Sequence, residues 1–292
     1  MKSKVITTIL LISAICLSIF AIVKTRNYFS PQAPSTTSTS ESAPQPSPTL
    51  TPTATPTATP SATPTPKPLT FAQMNAQYGP CVKLPTLMYH HIQDPAGQTS
   101  PSVSPEFFQS QMEYLQTKGY TTVSPQQLIN FFSSGTPLPA KPVMITFDDG
   151  YADFASNAVP ILNQFSHKAV MFLSTGLVNN PDYLTWDQIA GINSSNISFG
   201  NHTWSHKNTQ SSDETIEAEI GVAQTQLEEK GLGSPKTFAY PYGIVGRGVK
   251  YLQANEFLLA FTTQPGSTLC SQQSLVLPRI RVGNANLSNY GL

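Results

Sequence analysis

The sequence predicts an α/β domain: a mostly parallel sheet with helices packed outside it. Three observations carry this. Short apolar runs alternate with longer amphipathic stretches between residues 84 and 282. Several helix-like stretches open on a hydroxyl or acidic cap, two of them followed by proline. The acids and histidines that look chemical stand directly after apolar runs, where strands of an α/β fold present functional groups.

The elements follow in order. Leu84 to Tyr89 reads as the first strand. Ser104-Pro105-Glu106 resembles a capped helix start with proline in the first turn, where its missing N–H costs nothing; this helix should end near Gly119. Ser124-Pro125 opens a second helix through Phe132. Val143 to Phe147 is a strand, and the helix after it should run from Tyr151 to Phe165. Ala169 to Leu173 is a strand, and Thr185 to Ile192 a short helix. Ile197 to Gly200 is a strand, and Asp213 should cap a long helix to Lys230. Lys236 to Tyr240, Phe257 to Thr262 and Val276 to Val282 complete the strands.

The first third of the 292 residues is different. Met1 to Lys4 is basic, Val5 to Val23 is apolar, and Lys24 and Arg26 close the stretch. That length is close to the ~20 residues needed to cross a bilayer. No Ala-x-Ala cleavage site follows, so residues 1–29 are expected to be a transmembrane signal-anchor rather than a removed signal peptide. Ile15 is too large to precede a lipidated Cys16. Residues 30–68 form a low-complexity Pro/Thr/Ser linker with almost no charge, expected to be a disordered, extended stalk. Residues 69–292 are one domain's worth of chain, expected to be a monomer held outside the cell membrane by a single span. Its 11 Lys and Arg against 15 Asp and Glu leave it at −4, which argues against nucleic acid as a partner. Cys81 and Cys270 are the two cysteines of this domain, either paired or free.

The chemistry centres on Asp148-Asp149-Gly150 and His202-Thr203-Trp204-Ser205-His206. One aspartate and two histidines suit a divalent ion with open positions, zinc first and Co2+, Ni2+ or Mn2+ as alternatives. The neighbouring aspartate is then free to act as a base, since adjacent side chains on an ideal strand point to opposite sides. Separately, Asp-Asp-Gly is good turn chemistry and i,i+4 histidines are common on surfaces. Together, each behind an apolar strand, they predict a metal-dependent hydrolase.

Thr146-Phe147-Asp148-Asp149-Gly150 and His202-Thr203-Trp204-Ser205-His206 resemble the first two motifs of the polysaccharide deacetylase family. Phe238-Ala239-Tyr240-Pro241-Tyr242-Gly243 resembles its third. Leu87-Met88-Tyr89-His90-His91-Ile92 is similar to the segment preceding the barrel in the branch acting on poly-β-1,6-N-acetylglucosamine. The resemblance implies a distorted (β/α)7-like barrel, a divalent metal and removal of acetyl groups from a polysaccharide. It places Asp149, His202 and His206 on the metal and Asp148 as the base that deprotonates the attacking water. It puts the backbone N–H of Tyr242 at the oxyanion, in a turn formed with Tyr240 and Pro241.

Three departures accompany it. Ala239 stands where the family has an arginine that orients the base. No tryptophan follows Trp204, and no histidine follows His206. Leu277-Pro278-Arg279 occupies the place of a Leu-x-His that supplies a general acid. Arginine stays protonated and cannot take that role. We therefore expect Arg279 or Arg281 to pair with Asp148, Leu277 to border the substrate, and His90 or His91 to protonate the leaving amine. Tyr89, Phe147, Tyr151, Trp186, Trp204, Tyr240 and Tyr242 are candidates for stacking on sugar rings. Rival readings are an O-acetyl esterase acting on xylan or a similar glycan, and a sugar-binding module that has lost catalysis. A metal phosphatase or nuclease lacks the basic groove it would need.

Overall fold

The computed structural model describes residues 68–94, 102–194 and 196–292. The expected signal-anchor (1–29) and nearly all of the stalk (30–68) lie outside the described residues. Among the described residues no helix is long and apolar enough to cross a membrane.

Among the described residues there are twelve strands: β1 (Cys81–Lys83), β2 (Thr86–Tyr89), β3 (His91–Ile92), β4 (Ser102–Val103), β5 (Thr121–Thr122), β6 (Pro142–Phe147), β7 (Ala169–Leu173), β8 (Ile197–Asn201), β9 (Thr237–Ala239), β10 (Leu259–Pro265), β11 (Thr268–Cys270) and β12 (Leu277–Arg281). The main sheet runs β2-β12-β10-β9-β8-β7-β6-β5, and β2 also pairs with β6. That second pairing closes seven parallel strands into a ring, with β5 appended outside it. Every strand of the ring thereby loses its open edge.

Strand parity sorts the core. Val143, Ile145 and Phe147 pack with Phe108, Met112 and Leu115 of the helix Pro105–Thr117, between barrel and outer layer. Met144 packs instead with Val170, Phe172, Ala239, Leu259, Phe261 and Leu277, so that side chains from five strands meet inside the ring. Such two-sided burial explains why these strands read as continuous apolar runs and not as alternating ones. Parity continues upward: Thr146 and Asp148 follow Met144, and Arg279 and Arg281 follow Leu277.

The outer helices begin where capping chemistry expects. The hydroxyls of Ser104, Ser124 and Thr185 accept first-turn amides, with proline next at the first two. Two predicted helices need correction. The stretch after β6 opens with a π-turn at Phe154–Ala158, and the α-helix is confined to Val159–Gln164. Pro160 has no N–H to return to the preceding turn, and the Val159 amide reaches back five residues to the Phe154 carbonyl. Ser212, not Asp213, caps the later helix, which also widens at Glu219 (π-turn Glu217–Gly221).

Elements too short to show a period were not visible in the sequence: the helix Phe71–Tyr78, the β3–β4 pair and the β1–β11 pair. β1 and β11 run antiparallel with Cys81 opposite Cys270, and the two cysteines form a disulfide.

Candidate active site

β6 ends at Phe147, so the two aspartates stand on the turn beyond it and not on the strand. What splays them is backbone conformation. Asp149 has φ 77° and Gly150 φ 89°, both in the left-handed region. A Cβ at Gly150 would also meet the tip of the Leu173 side chain at 2.9 Å, so the left-handed backbone and this contact together favour glycine. Asp148 and Asp149 do face different ways, through this left-handed turn and not through strand alternation.

Asp148 continues the inward parity of Met144 and Thr146 and meets Arg279, which rises from β12 on the same inner face. The guanidinium grips it in a fork: Nη1 donates to Oδ1 at 2.8 Å and Nη2 to Oδ2 at 2.6 Å. Further donations to the Thr146 hydroxyl and the Thr262 carbonyl bring the occupied N–H groups of the Arg279 head to four of five. Both residues are buried. Burial pushes the Asp148 carboxyl up, but the Arg279 charge and hydrogen bonds outweigh it, and the net shift is downward. An arginine two strands away from the third motif thus contacts the acid that Ala239 cannot reach. Arg281 lines the pocket wall and does not pair with Asp148.

Asp149, His202 and His206 converge from two loops, their ligand-type atoms all within 4.8 Å of one another. Each histidine Nε2 lies 3.2 Å from Asp149 Oδ1, yet that buried oxygen has no well-aligned hydrogen bond. Three lone-pair donors facing a common point without bonding each other is the arrangement a cation completes. Burial pushes Asp149 up, and the imidazoles more than reverse it, holding the carboxyl far below its ordinary range. The other ring nitrogen of each histidine is occupied. His202 Nδ1 meets the Ala239 carbonyl at 2.7 Å, and His206 Nδ1 meets the Tyr242 hydroxyl at 3.2 Å. Such partners orient ligand imidazoles.

The histidine loop is held by residues that sequence reasoning missed. Asn201 accepts from the Thr203 amide and donates to the Ile220 carbonyl. Glu219 takes both the amide and the hydroxyl of Ser205, at 2.8 and 2.6 Å. Asn201 sits directly before the motif and was open to suspicion. Glu219 lies fourteen residues on, in a helix that looked merely amphipathic.

A cavity of about 210 Å³ joins these groups, lined further by His90, Tyr151, Tyr240, Tyr242 and Thr263. His90 Nδ1 is buried there without a partner. His91, the other predicted acid, turns away: its Nδ1 is taken by Asp153 at 2.5 Å and its ring stacks on Tyr151, outside this cavity. Leu277 is also corrected. It is fully buried inside the ring, a layer below Arg279, and does not reach the pocket. Pro241 is buried and shapes the turn in which Tyr242 adopts φ 60°. Gly243 follows at φ 72°, with Thr263 only 2.0 Å from any added Cβ. Of the aromatic candidates, Tyr89 and Phe147 are core; Tyr240 contributes a wall but ties its hydroxyl to the Leu275 carbonyl. Tyr242 and Trp204 are exposed.

Comparison with known proteins agrees with this geometry. Residues 135–257 match the family model described as polysaccharide deacetylase. A Bacillus subtilis protein named for the same family is 27% identical over 202 residues, covering 68% of this chain and 71% of that one. The Escherichia coli poly-β-1,6-N-acetyl-D-glucosamine N-deacetylase is 26% identical over 244 residues, 68% of this chain; the match spans 36% of that protein's length. Among solved structures, the Streptococcus pyogenes deacetylase PplD, determined in complex with acetate, superposes with TM-score 0.66 at 28% identity, over 71% of this chain and 96% of that one. A parallel barrel carries paired acids and a histidine pair at its strand ends, a candidate metal site opening on one pocket. Residues 135–257 are thus a polysaccharide deacetylase domain, and the chain around them is similar to proteins named for that activity.

Proposed function

We propose that the domain removes N-acetyl groups from an N-acetylglucosamine polysaccharide of the cell envelope or matrix. The support is a single arrangement: an Asp-His-His cluster with an orphaned carboxylate oxygen, beside an arginine-gripped acid and an unpartnered histidine, in one cavity. The Escherichia coli relative is named for N-deacetylation of poly-β-1,6-N-acetyl-D-glucosamine, which supports this substrate class.

Asp149, His202 and His206 would hold a divalent ion, zinc by the chemistry of an O,N,N donor set. When bound, such an ion supplies Lewis-acid polarisation of the acyl carbonyl and eases deprotonation of the attacking water. Asp148 accepts the water's proton, its orientation held by the Arg279 fork. The turn at Tyr242 would direct a backbone N–H at the developing oxyanion. His90 delivers a proton to the departing amine. Burial lowers the His90 pKa, although Asp148 and Asp149 pull it the other way; a depressed pKa strengthens the imidazolium as a donor. The expected signal-anchor and stalk complete the proposal by holding the domain outside the membrane near nascent polymer.

The test is acetate release from β-1,6- and β-1,4-linked N-acetylglucosamine oligomers, with acetylated xylan alongside and with metal added or chelated. Asp148→Asn should abolish release while metal still binds. His90→Gln should lower turnover by about 10²–10⁴-fold with the fold intact, whereas His91→Gln should not approach that loss. Release from xylan alone would make the enzyme an O-acetyl esterase. Tight glycan binding with no release would make it a binding module.

A further inference from the structure

Beside the catalytic pocket, and sharing Tyr151 with it, lies a second cavity of about 510 Å³. Three rings run along it. His91 stacks on Tyr151 with centroids 3.5 Å apart and planes 22° apart, and Tyr151 stacks on Tyr183 at 5.1 Å and 29°. The row is anchored at both ends. Asp153 bonds His91 Nδ1 through one carboxylate oxygen and takes the Ile92 amide with the other. An isolated antiparallel bridge ties Tyr151 to Tyr183. All three residues are half-buried, so their positions are set by the protein while part of each ring stays accessible.

A pyranose ring presents C–H groups on its faces and hydroxyls around its rim, which suits flat π surfaces bordered by polar groups. Here the border is acidic. Gln93, Asp153 and Asp182 line the cavity, and among the described residues no lysine or arginine does. Asp153 is committed to His91, whereas Asp182 is exposed and has no ion pair among the described residues. Hydrolysis of an N-acetyl group leaves an ammonium on the sugar, a cation of the kind a free carboxylate attracts.

Resting on the deacetylase reading above, we propose that this cavity is a subsite for the sugar adjoining the one being deacetylated. That sugar packs on Tyr183, the end ring of the row, because His91 and Tyr183 already cover the faces of Tyr151, and Asp182 favours a neighbour whose amine is already free. Deacetylation would then proceed preferentially beside residues already processed, giving blocks of free amines along the polymer.

The test compares the intact chain and its variants on N-acetylglucosamine, its fully acetylated tetramer, and a tetramer carrying one free amine. Tyr183→Ala should reduce kcat/KM on the tetramers about tenfold, mainly through KM, and leave the monosaccharide unaffected. Tyr183→Phe, which keeps the ring, should behave as wild type. Asp182→Asn should reduce the preference for the part-deacetylated tetramer roughly two- to fivefold, and added salt should do the same to the wild type. Equal loss on monosaccharide and tetramer in Tyr183→Ala, or an unchanged preference in Asp182→Asn, would overturn the proposal. Calorimetric titration with a glucosamine tetramer, which has no acetyl group to lose, separates the two readings. Binding weakened by Tyr183→Ala upholds the subsite even if no substrate yields acetate, and binding unchanged by it rejects the subsite even if the enzyme is active.

Discussion

Arg279 is a fully buried cation whose worth depends on its partner. The Asp148–Arg279 fork lies under the pocket with both charges out of water, so neither can be removed alone without stranding the other. Arg279→Met should destabilise the domain by about 3–5 kcal/mol, read as a lower denaturation midpoint in urea. The double variant Arg279→Met/Asp148→Leu should recover much of that loss while remaining inactive. Recovery in the double variant distinguishes a stranded charge from lost packing. At this scale the sequence was partly legible. Strand parity runs from Leu277 to Arg279 as surely as from Met144 to Asp148, so the two could be placed on the inner face. That they meet required the β2–β12 and β2–β6 pairings, which bring distant strands side by side.

At the scale of elements, the histidine loop shows how a motif depends on residues outside it. Ser205 hangs from Glu219 by two hydrogen bonds, and Glu219 sits on the π-turn Glu217–Gly221. Glu219→Ala should slacken His206 and weaken metal affinity about 10–100-fold, measured by competition with a chromogenic chelator, with little change in secondary structure. The outer layer carries its own titratable group. His167 is buried, and its Nε2 meets the Met112 carbonyl at 3.0 Å on the helix Pro105–Thr117. Burial lowers its pKa, and the Met112 contact only partly opposes this. The folded state therefore binds this proton less readily than the unfolded chain does. Its stabilising contribution is present above the ordinary histidine pKa and is lost as pH falls below about 6.5 toward the lowered folded value. Unfolding free energies measured from pH 8 to 5 should decline in the wild type, and His167→Gln should flatten that part of the slope.

For the whole molecule, the barrel is closed by strand pairing and clasped by a bond far apart in sequence. Cys81 and Cys270 are separated by 189 residues and join the segment entering the barrel to the crossover between β10 and β12. Constraining so long a loop in the unfolded chain should be worth roughly 2–4 kcal/mol. Cys81→Ser/Cys270→Ser should lower the thermal midpoint accordingly, and a reductant should shift the wild type but not the variant. Acetate release at room temperature should survive in both, because neither cysteine lines the catalytic cavity.

What the chain determined by itself was local: where apolar runs make strands, where hydroxyls and prolines start helices, and which acids and histidines end up beyond strand ends. These depend on neighbours a few residues apart, so they are written in short stretches. The partition of His90 from His91, the descent of Leu277 into the core, the bond between cysteines, and the grip of Glu219 on the metal-side loop were decided by tertiary structure. Each depends on which distant surfaces the closed ring brings into contact, and pairing across such distances leaves no periodic trace in a single sequence.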